Sequence, residues 1–271
     1  MTQPKLEWFA RGTLPMFGST GIRILKMHHT PKHVAFIMDG NRRYARVNQF
    51  DSVVKGHSKG FDQLTKVLEW CTLLGIREIT VYAFSLENFK RSEDEVEGLF
   101  KMAIEKFERL LKEKKQLEEN EVCFRFFGDM QTLPQRLREL VAEVEEFTKD
   151  FKKAFLNVCL AYTSQNEIIR AMQHIQTDVK DGKVKPEEIS ETTMNKALDT
   201  KDSLPVDMLI RTSGEHRLSD FLLWQCSNCF LYFDDVLWPD FCFWNLFKAI
   251  LHYQLHCYRN RKQLAEMARR G

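Results

Sequence analysis

Six short runs of apolar residues recur along the chain, separated by longer segments whose apolar positions fall three and four apart. The first pattern predicts buried strands and the second amphipathic helices. The predicted strands are Val34–Met38, Glu78–Phe84, Val122–Phe127, Phe155–Leu160, Asp207–Arg211 and Cys229–Phe233. The predicted helices are Asp62–Leu74, Glu93–Glu119, Pro134–Lys149, Asn166–Lys180, Pro186–Asp199 and Phe241–Arg269. Ser92 suits an N-cap, with Glu95 at the capping-box position. The end of the second helix, LLKEKKQLEEN (Leu110 to Asn120), extends beyond the apolar stripe and reads as a solvated helix end. Strands alternating with helices predict an α/β fold with a largely parallel sheet covered on both faces. No internal repeat or low-complexity linker appears, and Lys201–Pro205 reads as a loop, so one domain is expected.

Composition narrows the class. At 271 residues, with 44% hydrophobic and 29% charged positions, the chain can bury a sizeable core. A formal net charge of +2 gives no bulk electrostatic case for nucleic acid, so any anion site must be a local cluster. The 21 phenylalanines suit either ordinary core packing or a wide apolar groove. Seven cysteines, an odd number mostly inside apolar segments, predict reduced thiols rather than a disulfide framework. No apolar run approaches the length of a membrane span. Residues 1–30 differ from the rest: Trp8, Phe9, Phe17, Ile22 and Leu25 mix with Arg11, Arg23 and Lys26, broken by glycines and Pro15. This arm reads as an interfacial membrane segment or as an arm packed on the domain formed by residues 31–271.

Three predicted strands run into polar corners. The first, HVAFIMDGNRRYA, brings Asp39, Gly40, Asn41, Arg42 and Arg43 to a strand end. Ligands of α/β proteins bind at the carboxyl ends of strands. A carboxylate there can hold Mg²⁺, guanidiniums can hold phosphate, and a following helix N-terminus would add N–H donors. The second corner carries Ser85, Glu87, Asn88 and Arg91, and also reads as a turn with a helix cap. The third sets Arg211, Ser213, Arg217 and Ser219 around Gly214, a composition suited to a diphosphate. Glu215 or His216 could serve there as acid, base or metal ligand. Neither GxxxxGK[ST] nor GxGxxG occurs, which disfavours P-loop and dinucleotide sites. Cys226 and Cys229 with His252 and His256 form a conceivable zinc set, but their spacing exceeds that of a zinc finger.

Six blocks, HVAFIMDGNRRYA, Gly56-His57, YAFSLENFKRS, LNVCLAYTSQNEI, IRTSGEHRLSDFLLWQ and VLWPDFCFWNLF, occur in an order that resembles the cis-prenyltransferases, the undecaprenyl and dehydrodolichyl diphosphate synthases. The resemblance covers His33 to Leu251, and the DGNRRYA form with the LLKEKKQLEEN extension looks like the eukaryotic dolichol branch. It implies a single domain with a six-stranded, mainly parallel sheet flanked by helices and an apolar product tunnel. It also implies repeated addition of isopentenyl diphosphate to farnesyl diphosphate, each step making a Z double bond and releasing diphosphate. By resemblance Asp39 positions Mg²⁺ and is the residue most tied to turnover. Gly40, Asn41, Arg42 and Arg43 hold the allylic diphosphate with His57 nearby. Ser85 and Asn88 lie beside the reacting ends, and Asn88 or Asp39 assists proton removal. Phe89 and Arg91 shape the primer site, while Arg211, Arg217 and Ser219 bind isopentenyl diphosphate.

The chain departs from the bacterial pattern twice. Asp51-Ser52-Val53-Val54 stands where bacterial members carry an arginine before the Gly-His pair, with Lys55 as the candidate replacement. Phe230 stands where they carry a metal-linked glutamate, leaving Asp39 as the expected sole protein ligand of Mg²⁺. The end Arg269-Arg270-Gly271 matches in letters the RxG motif of self-sufficient members and accessory subunits, or is a basic helix end. The dolichol-like body implies a heteromer with an accessory subunit of the same fold, a homodimer being the alternative. It further implies peripheral attachment to the cytoplasmic face of the endoplasmic reticulum membrane. A non-catalytic scaffold subunit of such a complex is the competing reading.

Overall fold

The computed structural model describes Trp8, Phe9 and residues 11–268. The closing Arg269-Arg270-Gly271, and with it the RxG reading, lies outside the described residues, as do the first seven positions and Ala10. Six strands form one sheet in the order β3-β4-β2-β1-β5-β6. They are β1 (His33–Ile37), β2 (Glu78–Ser85), β3 (Val122–Phe127), β4 (Ala154–Tyr162), β5 (Met208–Arg211) and β6 (Phe230–Phe233). Each lies within two residues of its predicted run. The flanking helices are α1 (Gly18–Lys26), α2 (Asn41–Val47), α3 (Val53–Leu74), α4 (Glu93–Lys112), α5 (Lys114–Asn120), α6 (Gln135–Thr148), α7 (Ser164–Lys180), α8 (Glu191–Ala197) and α9 (Phe243–Ala268). The pairs β1–β5, β5–β6 and β3–β4 are parallel, as the alternating pattern required.

The chain groups into two compact units, Met1–Ile79 with Val206–His216 and Asn228–Gly271, and Thr80–Pro205 with Arg217–Ser227. In the first, β1 and β5 are buried along their whole length, which is why both read as unbroken apolar runs. Register sets Val34 against Met208 and Ile37 against Arg211, so the two strands end level. Both backbone N–H groups of Lys32 and His33 donate to the Asp207 carboxylate, at 2.7 and 3.0 Å, and tie the starts of these strands together. Part of the N-terminal arm packs on this unit. Trp8 meets the Phe61 ring edge-on at 4.6 Å, Ile22 and Leu25 are buried, and Gln254 Nε2 donates to the Leu25 carbonyl at 2.7 Å. Met16, Phe17, Ile24 and Met27 of the same arm are exposed.

Helix α3 begins nine residues before the predicted Asp62. Its first turns, VVKGHSKG, carry two glycines and read as loop by propensity. Packing decides otherwise: a Cβ on Gly56 would lie 2.2 Å from the Asn41 carbonyl oxygen, and one on Gly60 would lie 2.1 Å from Asn41 Oδ1. The glycines let α2 and α3 approach backbone to side chain.

In the second unit three helix expectations are corrected. The single helix Glu93–Glu119 is two helices, α4 and α5, broken at Glu113. The Leu110–Asn120 extension is not simply solvated, because Leu110 and Leu117 are fully buried and Lys114 sits 4.9 Å over the Phe147 ring. Pro186–Asp199 is a 3-10 turn (Pro186–Glu188) followed by α8, because Ile189 is extended and Ser190 caps the new helix through the Thr193 N–H. Ser92 stands at the N-cap of α4 without a side-chain cap bond: the Glu95 N–H donates to the Ser92 carbonyl at 3.1 Å, and the Glu95 carboxylate pairs with Arg91 at 2.9 Å. All seven cysteines are thiols, four of them buried. No helix among the described residues is long and apolar enough to cross a membrane.

Candidate active site

The chain leaves β1 for β2 on one side of it and returns to β5 on the other, so strand order reverses between β1 and β5. In open α/β sheets this is where a crevice forms beyond the carboxyl ends. The first polar corner sits there. Asp39 Oδ1 accepts from the Gly40 N–H at 2.7 Å, and Asp39 Oδ2 accepts from Arg211 Nη2 at 2.8 Å. The Asp39 main chain is held as firmly: its carbonyl accepts from Thr212 Oγ1 at 2.7 Å and from the Trp238 N–H at 3.0 Å. Gly40 has φ 108°, and a Cβ there would meet Leu237 at 3.0 Å, so only glycine fits this turn.

The Asp39 side chain is 37% exposed while that of Arg211 is 3% exposed. The pair thus presents a carboxylate to solvent from a buried guanidinium, which keeps Asp39 oriented. Arg43 donates to the Ser213 carbonyl at 3.0 Å and lies 3.7 Å from Glu215. Arg42 is exposed, and His57, in the opening turns of α3, is half-buried. Asn41 Nδ2 donates to the Met38 carbonyl at 3.1 Å, and its buried Oδ1 has no hydrogen-bond partner among the described residues. Of the residues predicted from sequence, Asp39, Gly40, Asn41, Arg43 and Arg211 therefore share one corner. Thr212, Trp238 and Gly60 support it and were not predicted; Trp238 Nε1 donates to the Gly60 carbonyl at 2.7 Å. Thr212 and Trp238 had as their only sequence signal membership of the ordered blocks, and Gly60 had none.

The departures have plain structural forms. Lys55 is exposed and paired with Asp51 at 2.6 Å, on the first turn of α3. Phe230 opens β6 with its ring against Tyr253 and His256, at 6.1 and 5.0 Å between centroids. His252 likewise faces Tyr232 at 5.6 Å. The described residues contain no group of three or more His, Cys, Asp or Glu side chains that could hold a metal ion, zinc included. His216 packs against Phe233 at 5.1 Å.

In the second unit the Ser85 corner is a self-contained turn. Ser85 Oγ accepts from the Glu87 N–H at 3.1 Å, and the Ser85 N–H donates to Asn88 Oδ1 at 3.0 Å. With its oxygen engaged, Asn88 offers a ligand its amide N–H donors. Phe89 is partly exposed and joins Phe84 and Phe100 in an aromatic cluster, at 5.0 and 5.8 Å. Arg91 is steadied by Glu95. Arg217 and Ser219 lie on the segment that follows β5, and Ser219 is left-handed with φ 50°.

The model of a family described as putative undecaprenyl diphosphate synthase matches residues 37–262. The chain is 50% identical over 251 residues to the Homo sapiens protein named dehydrodolichyl diphosphate synthase complex subunit DHDDS, covering 93% of this chain and 75% of that one. It is 43% identical over 230 residues to the tritrans,polycis-undecaprenyl-diphosphate synthase (geranylgeranyl-diphosphate specific) of Methanopyrus kandleri, covering 85% and 84%. Among solved structures, lavandulyl diphosphate synthase from Lavandula x intermedia, crystallised with dimethylallyl diphosphate, superposes with a TM-score of 0.78 at 31% identity, covering 83% of this chain and 95% of that one.

Proposed function

The chain belongs to the undecaprenyl diphosphate synthase family, the cis-prenyltransferases, and from that premise we propose that it is the catalytic subunit of a dehydrodolichyl diphosphate synthase. It condenses isopentenyl diphosphate repeatedly onto farnesyl diphosphate and makes a long polyprenyl diphosphate, the dolichol precursor for protein glycosylation. The observation that carries the reading is the Asp39–Arg211 pair at the point where strand order reverses. A scaffold subunit has no use for an oriented, exposed carboxylate on a buried guanidinium.

In each cycle the C–O bond of the allylic diphosphate breaks and diphosphate departs, a carbon–carbon bond forms to isopentenyl diphosphate, and a proton of that substrate passes to the departing diphosphate, with Asp39 assisting, to give the Z double bond. Arg42 and Arg43 hold the allylic diphosphate by charge-assisted hydrogen bonds, with Gly40 and Asn41 setting the turn and His57 assisting. Arg211, Arg217 and Ser219 hold isopentenyl diphosphate. A guanidinium has five donors, so Arg211 can keep Asp39 and still offer N–H groups to a phosphate. Ser85 and Asn88 serve the reacting ends; Asn88, with its oxygen engaged, orients by donating. Phe89 and Arg91 shape the primer site, and the buried phenylalanines suit a tunnel for the growing chain.

Asp39 fits Mg²⁺. One carboxylate plus substrate phosphates is an ordinary magnesium donor set, so Asp39 would hold the ion together with a substrate diphosphate rather than within a protein cage. Mg²⁺, when bound, supplies charge neutralisation for the departing diphosphate.

The same reading assigns an accessory subunit of the same fold and peripheral attachment to the cytoplasmic face of the endoplasmic reticulum membrane. It is supported by the complex-subunit name of the human relative and by the exposed apolar side chains of the arm beside Arg23 and Lys26. The test is an assay of the purified chain, alone and with its accessory subunit, on farnesyl diphosphate and labelled isopentenyl diphosphate. Long labelled products, lost in Asp39→Ala, are expected. No long product with either preparation would turn the assignment over to the scaffold reading.

A further inference from the structure

Three of four consecutive positions in the segment after Arg217 are non-glycine residues in the left-handed region: Ser219 at φ 50°, Asp220 at φ 57° and Leu222 at φ 47°. L side chains resist this conformation, and such residues persist only where their surroundings over-determine them. The surroundings here are specific. The Asp220 carbonyl accepts from the Ser164 N–H at 2.8 Å, and its carboxylate accepts from the Gln165 N–H at 3.0 Å. The Leu223 N–H donates to Ser164 Oγ at 3.0 Å. Downstream, Gln225 Nε2 donates to the buried Glu167 carboxylate at 2.9 Å.

One clamp reaches Ser219 itself. The Tyr82 hydroxyl, from β2, shares its one proton between two carbonyls, that of Ser219 at 3.3 Å and that of Tyr162 at 3.1 Å. The Tyr82 ring stacks on the fully buried Phe221, with centroids 4.5 Å apart and planes 14° apart. Tyr82 thus holds the loop from both its polar and its apolar ends. Burial raises the Tyr82 phenol above its ordinary value, so the hydroxyl remains a donor across the working pH range.

We infer that Tyr82 is a positioning residue that presets the strained Arg217–Leu223 loop, and so presents Ser219 and Arg217 to the diphosphate of isopentenyl diphosphate in their binding conformation. The inference rests on the proposed reading of those two residues as ligands of that substrate. A preset loop binds without first ordering itself, so the hydroxyl acts on the affinity for one substrate.

Tyr82→Phe removes the hydroxyl and keeps the stacked ring. In the full complex the KM for isopentenyl diphosphate is expected to rise about fivefold, the loss of one such hydrogen bond, while kcat and the KM for farnesyl diphosphate stay within about twofold. Tyr82→Leu, which also removes the stack, should raise the same KM further. Deuterium exchange, which needs no substrate, should quicken about fivefold at the Phe221 and Leu223 amides of Tyr82→Phe with the melting temperature unchanged. Unchanged exchange would overturn the clamp. Quickened exchange with both KM values rising together, or with kcat falling alone, would overturn the assignment to isopentenyl diphosphate. Quickened exchange in a chain whose wild type never turns over would leave the clamp and sink the catalytic reading beneath it.

Discussion

The Asp39 corner and the Ser85 corner both follow a buried strand with a turn of polar residues, yet contacts of different range hold them. Asp39 is fixed by Arg211, 172 positions away, and by Thr212, 173 positions away, with Trp238 as a third support. Ser85 is fixed by Glu87 and Asn88, two and three positions away. The first corner exists only once the sheet has brought β1 and β5 together. The second is a capped turn that its own residues specify. The Asp39 carboxylate is thus held by the whole fold, whereas the groups at the second corner come prearranged by local geometry.

The largest test of this contrast is Asp39→Ala. It removes both the exposed carboxylate and the partner of Arg211, and turnover should fall by about 10²–10³-fold or more in a single-turnover assay. Arg211→Met should reproduce much of that loss although Asp39 is untouched, because the carboxylate loses its orienting partner. If Arg211→Met kept near-normal kcat, the long-range account of the first corner would break.

Gly56→Ala strikes the same corner from behind. The new Cβ meets the Asn41 carbonyl oxygen at 2.2 Å, and α2 must move. Denaturant unfolding should show a loss of about 3 kcal/mol, at the upper end of overpacking effects. Ser85→Ala removes the cap acceptor of the Glu87 N–H and should lower stability by only about 1 kcal/mol. A Ser85→Ala loss larger than that of Gly56→Ala would reverse the comparison.

The smallest effect concerns pH. Burial raises the carboxyl of Glu167 above its ordinary value of 4.5, against hydrogen bonds from Tyr162 and Gln225 that lower it. A raised acid binds its proton more tightly folded than unfolded. Its stabilising contribution is full below the unfolded pKa and is lost as pH rises through the folded one. Urea midpoints of Glu167→Gln relative to wild type should therefore improve between about pH 4.5 and neutrality. An unchanged difference would show that this long-range anchor does not titrate in that window.

Much of the molecule was legible beforehand for reasons that can be named. β1 and β5 are buried on both faces, so their residues are apolar without interruption and their ends show as abrupt polarity. The Asp39–Arg43 stretch stood out because it breaks such a run. Local turn chemistry was half legible: a cap was expected at Ser92, yet the one that forms is at Ser85. Both are serines before acidic residues, but at Ser92 the Glu95 N–H goes to the main-chain carbonyl rather than to the hydroxyl, a choice of backbone geometry that the letters do not record. The opening of α3 was illegible because glycine propensity points away from helix, and only the close approach of α2 explains it. Tyr82 was not singled out within its predicted strand, since its partners Ser219 and Phe221 lie 137 and 139 positions along the chain.

Sequence alone determined the strands, the alternation with helices, the polar groups at strand ends and the family to which they belong, because apolar periodicity and ordered motifs are properties of neighbouring residues. Tertiary structure decided which polar groups meet. Arg211 read from sequence as a ligand of substrate phosphate, and the fold made it first the buried partner of Asp39. That pairing follows from the register of Ile37 beside Arg211, set by sheet order across most of the chain, and no local pattern encodes it.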